Sequence, residues 1–143
     1  LEALKDQAAR QEEKYLRMAA EYDNFRKRTA KEKEAIWNDA KADAALAFLP
    51  VYDNLERALK QETADEAYKK GVEMTMNQLK TVLEKLGITE IEALGQPFDP
   101  ALHNAVMHIE DENFGENTVA EVFQAGFRLG DKVVRFAMVK VAN

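Results

Sequence analysis

The sequence predicts an α+β chain. A long N-terminal helix pairs as a coiled coil in a homodimer, a helical hairpin forms a four-helix bundle with its dimer mate, and a small C-terminal all-β domain follows. Three observations predict this. Residues 1–49 contain neither glycine nor proline. Residues 50–87 hold two apolar patterns of helical period with a polar turn between them. From Ile88 the apolar period falls to two. The expected parts are therefore 1–49, 50–87 and 88–143.

Nothing in residues 1–49 breaks a helix, and such a helix would run roughly 70 Å at ~1.5 Å per residue. A compact domain of this size has a radius of gyration on the order of 15 Å, so this rod cannot fold back into its own core. It needs a second copy or a partner. A heptad begun at Leu1 collects Leu4, Ala8, Gln11, Tyr15, Met18, Tyr22, Phe25, Thr29, Glu32 and Ile36, mostly apolar. An eleven-residue register (Leu4, Tyr15, Arg26, Trp37, Phe48) fits comparably and favours a straight or slightly right-handed pair. The polar positions Gln11, Thr29 and Glu32 make the expected pairing weak. Leu4, Tyr15, Met18, Tyr22, Phe25 and Ile36 are the dimer contacts expected from the rod.

Pro50 interrupts a pattern that otherwise continues through Phe48, Tyr52, Leu55 and Leu59. Proline removes the bond to the carbonyl of Leu46, so a kink or a new helix start is expected there. That helix runs to about Gln61. Thr63 to Glu66 reads as a capping box with Thr63 as N-cap. The next helix extends to Leu86 and stops at Gly87. Its apolar face includes Val72, Met76, Leu79 and Leu83. These four, with Leu55 and Leu59, are the expected dimer contacts of the bundle. Gly71 costs about 1 kcal/mol relative to alanine inside a helix, which favours close approach of another helix there.

In the tail, Ile88 to Ala93, Asn104 to Glu110, Thr118 to Leu129 and Lys132 to Val141 read as strands. Gly130-Asp131 is a two-residue hairpin turn of the Gly-X kind. Gly126 marks a bulge or bend. Phe98, Phe114, Phe123, Phe127 and Phe136 are available for a core.

Composition narrows the function. The 143-residue chain carries a net charge of −6, with 32% charged residues. The one basic cluster, Arg26-Lys27-Arg28, is flanked by acids and lies within the seam, so no nucleic-acid partner is expected. The chain has no cysteine and no serine, which removes thiol and serine nucleophiles, disulfides and zinc-thiolate sites. No apolar run approaches a ~18-residue membrane span, and no signal peptide is visible. The chain begins at Leu1 rather than methionine, which leaves open a preceding segment. His103 and His108 are five apart, on opposite faces of one strand, and are not expected to share a metal. His103 is expected to play a local structural role beside the proline loop. Glu110-Asp111-Glu112 reads as a solvated loop. No catalytic constellation and no cofactor site is found.

Several segments carry a family resemblance. FDPALHNAV (Phe98 to Val106) and GFRLGDKVVRFAMVKVA (Gly126 to Ala142) resemble the C-terminal signature of GrpE, the nucleotide exchange factor of the DnaK chaperone. EYDNFRKRT (Glu21 to Thr29) and LPVYDNLERAL (Leu49 to Leu59) are similar to the same family, in the same order. The resemblance implies a cytoplasmic homodimer of two parallel long helices, a four-helix bundle and two β-domain wings. It implies that one wing presses on the nucleotide-binding domain of DnaK, opens its cleft and lets ADP leave. It also implies that the protein binds no nucleotide and catalyses no bond chemistry. Carried over by position, the contacts to DnaK fall on Arg26, Pro100, Phe123, Lys132 and Val141. Lys132 stands where some members carry arginine; it keeps the charge without the bidentate fork. Gly71 matches a glycine whose integrity matters for the chaperone interaction, and its role is read as bundle packing.

Overall fold

The computed structural model describes all 143 residues. Two helices, α1 (Glu2–Leu59) and α2 (Glu66–Lys85), precede six strands. These are β1 (Ile88–Glu90), β2 (His103–Ile109), β3 (Thr118–Gln124), β4 (Phe127–Leu129), β5 (Lys132–Arg135) and β6 (Ala137–Ala142). Two compact units divide within α1: Leu1–Asp39 and Ala40–Asn143. No helix is long and apolar enough to cross a membrane.

The first unit is helix alone. Its surface carries i,i+4 ion pairs, Glu13–Arg17 at 3.3 Å, Asp23–Lys27 at 3.0 Å and Arg28–Glu32 at 3.8 Å. Each is exposed and contributes only a few tenths of a kcal/mol, by the ~0.2–0.5 kcal/mol typical of such pairs. Leu4, Tyr15, Met18, Tyr22, Phe25 and Ile36 are between 52% and 69% exposed. This unit therefore buries no apolar face within its own chain.

In the second unit α1 continues through Pro50 without a break, which corrects the expected kink or restart. The missing hydrogen bond costs roughly 3 kcal/mol. Buried Leu49 and Tyr52 on either side, and Asp53 held by Arg135, tie this turn to the core and outweigh that cost. The start of α2 also differs from expectation. Asp65, not Thr63, is the N-cap: its carboxylate accepts the Tyr68 N–H at 3.0 Å. Thr63 instead accepts the Asp65 N–H at 3.1 Å, one turn earlier. A carboxylate next to the positive end of a helix is the better acceptor, so the cap moves two residues along. Gly87, at φ +81°, follows the end of α2. Gly71 adds no packing within the chain, because a Cβ there would meet nothing within 4 Å.

The strands form two three-stranded sheets, ordered β1-β4-β5 and β2-β6-β3. The first is antiparallel throughout, and Leu129 pairs with Lys132 around the Gly130-Asp131 turn. In the second, β2 runs parallel to β6 and β3 runs antiparallel to it. The expected strand Thr118 to Leu129 is thus two strands, and so is Lys132 to Val141. The chain leaves one sheet for the other at Ala125-Gly126 and returns at Phe136. Gly126 is required at the first crossing, since a Cβ there would collide with the backbone nitrogen of Ala137.

Each sheet has its own core. Ala45, Leu49 and Tyr52 of α1 meet Met76 and Leu83 of α2, Ile88, Ala125 and Phe127. Phe127 packs edge-on against Tyr52, with ring centroids 4.9 Å apart. The second core is Ala93, Val119, Ala137, Val139 and Val141, flanked by Phe98 and Val122. Phe114, Phe123 and Phe136 stand outside both cores, contrary to expectation. Phe136 falls between strands, where the inward–outward alternation is interrupted.

Candidate partner-docking site

The helix–sheet unit presents three of the expected contact residues on its surface. Pro100 is exposed in the loop that precedes β2. Asp99 shapes that loop: its side chain accepts the Ala101 N–H at 2.9 Å, and its carbonyl accepts the His103 N–H at 2.8 Å. The Asp99 N–H in turn donates to His103 Nδ1 at 3.0 Å. His103 is only 4% exposed, and its Nε2 has no partner. Burial pushes the imidazole below its ordinary pKa, with the Asp99 carboxylate opposing the shift. A neutral ring with Nδ1 as acceptor fits this site. A buried histidine thus fixes the loop, and Pro100 stands at the surface of it.

Phe123 lies on β3 and is 42% exposed. Lys140 sits 5.7 Å from its ring centroid and pairs with Glu121 at 2.9 Å. On its other side Phe123 borders a cleft lined by Asp53, Glu56, Arg57 and Lys60 of the α1 region. Lys132 is exposed at the start of β5. The two residues do not face each other across one hairpin. Phe123 belongs to the β2-β6-β3 sheet and Lys132 to the β1-β4-β5 sheet.

One position carried over from the resemblance is placed otherwise than a direct contact requires. Val141 is 3% exposed inside the second core, so its side chain is committed to the protein's own packing. Its neighbours Lys140 and Glu121 hold the surface there. Likewise Met76 and Leu83, expected on a dimer face, are buried against α1 and Phe127 within one chain. Leu55, Leu59, Val72 and Leu79 are only partly buried. Arg26 is exposed on the rod and makes a loose 3.5 Å contact with Asp23.

Three features were not legible in the sequence. Arg135 forks onto Asp53 at 2.7 and 2.8 Å, eighty-two residues away. Tyr52 donates to Glu90 at 3.4 Å, where burial raises the pKa of both groups. Asn143 knits the 111–115 turn: its amide donates to the carbonyls of Asp111, Phe114 and Gly115, and its oxygen accepts the Asp111 N–H. None of these pairs has a local spacing that could announce it. An arginine in an otherwise apolar strand end was the one available hint for the first.

The surface so described is charged and aromatic. It suits a protein partner better than a small molecule. A model of the GrpE family matches residues 1–143. Proteins named GrpE are similar over most of the chain. That of Clostridium acetobutylicum is 59% identical over 131 residues, covering 92% of this chain and 65% of the relative. That of Clostridium beijerinckii is 56% identical over 131 residues, with 92% and 63% covered. That of Geobacillus stearothermophilus is 47% identical over 133 residues, with 91% and 60% covered. The chain thus spans 60–65% of the length of these curated relatives. With a matching model over all 143 residues and identities near one half or above, the chain belongs to the GrpE family.

Proposed function

We propose that this chain is a co-chaperone that acts as nucleotide exchange factor for a DnaK-type chaperone. It speeds ADP release by opening the chaperone's nucleotide-binding cleft. The observation that carries this reading is the family match across the whole chain, rod and sheets together. The protein makes and breaks no covalent bond and takes no cofactor. It works by binding the open, low-affinity form of the chaperone better than the closed form, which shifts the population toward release. By linkage, ADP weakens the exchange factor's binding by the same factor.

In this reading the chain is a cytoplasmic homodimer. Residues 1–49 form the dimerising helix, 50–87 contribute half of a four-helix bundle, and 88–143 form the wing. The exposed rod side chains Leu4, Tyr15, Met18, Tyr22, Phe25 and Ile36 supply the seam. Leu55, Leu59, Val72 and Leu79 supply the bundle contact. Met76 and Leu83 support it from behind. Analytical ultracentrifugation at micromolar concentration should report twice the chain mass.

The working surface is Pro100, Phe123 and Lys132 on the wing, with Arg26 on the rod. Phe123 offers an apolar aromatic anchor, and Lys132 beside the β4–β5 turn a cation that can meet a carboxylate on the partner. Lys132→Glu should slow stimulated ADP release at least about tenfold, or ~1.4 kcal/mol. Phe123→Ala should act in the same direction, with dimer mass and helical content unchanged in both. The measurement is stopped-flow release of a fluorescent ADP. Release from Lys132→Glu as fast as from the parent would move the working surface to the Phe98–His103 loop.

A further inference from the structure

The wing could act as a lever only if it is held at a fixed angle on α1. Most of what joins them is apolar: Leu49 and Tyr52 against Phe127 and Ala125. Such contact is non-directional and tolerates sliding. The shortest directional contacts form a charged fork, tighter than the 3.4 Å hydrogen bond from Tyr52 to Glu90. The Arg135 guanidinium meets both oxygens of Asp53 in a fork, Nη1 to Oδ2 at 2.7 Å and Nη2 to Oδ1 at 2.8 Å. The same group donates from Nε and Nη2 to the Ala125 carbonyl, at 2.9 and 2.6 Å. Its Cζ lies 5.7 Å from the Phe127 ring centroid. Gln124 adds a 3.4 Å contact to Asp53.

The location is what matters. Ala125 stands where the chain passes from β3 to β4, and Arg135 stands just before it passes from β5 to β6. One side chain therefore joins α1 to both points at which the two sheets exchange the chain. The side chains are 13% and 22% exposed, so solvent screens them little. A half-buried pair of this kind adds little net stability compared with neutral groups of the same size. What a planar fork adds is geometry.

We propose that Arg135 and Asp53 are positioning residues: their fork fixes the angle of the wing on α1, and so makes wing contact productive for nucleotide release. The functional half of this proposal rests on the exchange-factor reading. It predicts a separation of binding from action. With the fork removed, the wing still docks through its surface residues, but it yields instead of opening the partner's cleft.

The test uses the double variant Asp53→Asn/Arg135→Gln, which removes both charges and strands neither. Arg135→Lys is the conservative partner, keeping a cation but not the fork. The chain has no cysteine, so cysteines at Ala58 on α1 and Met107 on β2 take two spin labels without ambiguity. Labelled chain is mixed with an excess of unlabelled chain. The parent should give one narrow distance distribution. The double variant should broaden it while thermal unfolding of the sheets stays cooperative. At saturating exchange factor, its maximal ADP release rate from the DnaK-type chaperone should fall at least about tenfold, or ~1.4 kcal/mol. Its half-saturating concentration should stay within about threefold, and Arg135→Lys should fall between. An unchanged narrow distribution in the double variant overturns the proposal, and so does a broad distribution with full release. If the parent chain itself fails to stimulate release, the exchange-factor reading falls, and the label distances alone decide whether the fork sets the angle.

Discussion

Replacing Gly126 with alanine adds one methyl group where the chain crosses between the sheets. That Cβ would stand 2.9 Å from both Cα and Cβ of Ala137, and closer still to its backbone nitrogen. Ordinary carbon contacts begin near ~3.5 Å, so the two segments must part by about 0.6 Å or more. Neither can yield by a side-chain rotation, because the obstructing atoms are main chain and an alanine Cβ, which no rotation moves. The Gly126 carbonyl is already held by the Ile91 N–H at 2.9 Å, and the adjoining Ala125 carbonyl by Arg135. Overpacking typically costs ~1–3 kcal/mol, and this site belongs at the upper end, about 3 kcal/mol. Stiffening of the unfolded chain by alanine offsets ~0.4–1 kcal/mol. A net loss of about 2 kcal/mol remains, worth roughly 10 °C in the midpoint of a domain this small. Fluorescence is the wrong probe, since the single tryptophan, Trp37, lies in the first unit. Urea unfolding followed by the methyl resonances of Val119 and Val139 reports on the sheets directly. A midpoint within about 0.5 kcal/mol of the parent would refute the steric argument.

Gly71→Ala meets open space in the single chain, so it should stabilise an isolated α2 by about 1 kcal/mol; if the dimer weakens instead in sedimentation, another helix does approach there. Glu90→Gln should stabilise the second unit at neutral pH. Burial raises the folded-state pKa of Glu90, so its contribution to stability is fully present only in acid, below its unfolded pKa, and is lost as pH rises through the folded value. The gain from Glu90→Gln, read from urea midpoints, should therefore shrink toward zero below about pH 4. His103 has the opposite sign: its folded pKa is depressed, so its contribution is present above about pH 6.5 and lost as pH falls through the folded value. His103→Asn, which retains an acceptor near Nδ1, should flatten the acid limb of the stability profile. The rod should melt in a first, reversible step by circular dichroism while the sheets remain folded, because Gln11, Thr29 and Glu32 reduce the apolar area its seam can bury. Gln11→Leu/Glu32→Leu should raise that first midpoint, and a single transition for all signals would contradict this.

Elements governed by local rules were legible in the sequence. The absence of glycine and proline through Leu49 announced the long helix, and Gly130-Asp131 announced the β4–β5 turn. What failed depended on contacts distant in sequence. Pro50 reads locally as a break, yet buried Leu49 and Tyr52 carry the helix across it. The period-two runs were real, but a period does not say where a strand leaves one sheet for another, so it could not show that Phe123 and Lys132 lie in different sheets. The parallel pairing of β2 with β6 has no sequence signature at all. Of the proposed contacts carried over from the motifs, Pro100, Phe123 and Lys132 are exposed. Val141, by contrast, falls on the inward phase of β6 with Ala137 and Val139, a phase that Lys140 marks from the outward side and that the motif match does not report.

The place of β6 has a consequence for how the protein is made. It is the middle strand of its sheet, with β2 on one side and β3 on the other. Of all the strands it is the last to be synthesised. While a ribosome still holds residues 137–142, β2 and β3 have no common neighbour, and Val119 lacks Ala137, Val139 and Val141 of its core. Synthesis at ~5–20 residues per second therefore leaves a nascent chain with finished helices and an unfinished sheet. The open strands and exposed apolar side chains of that intermediate are the features by which chaperones recognise a client.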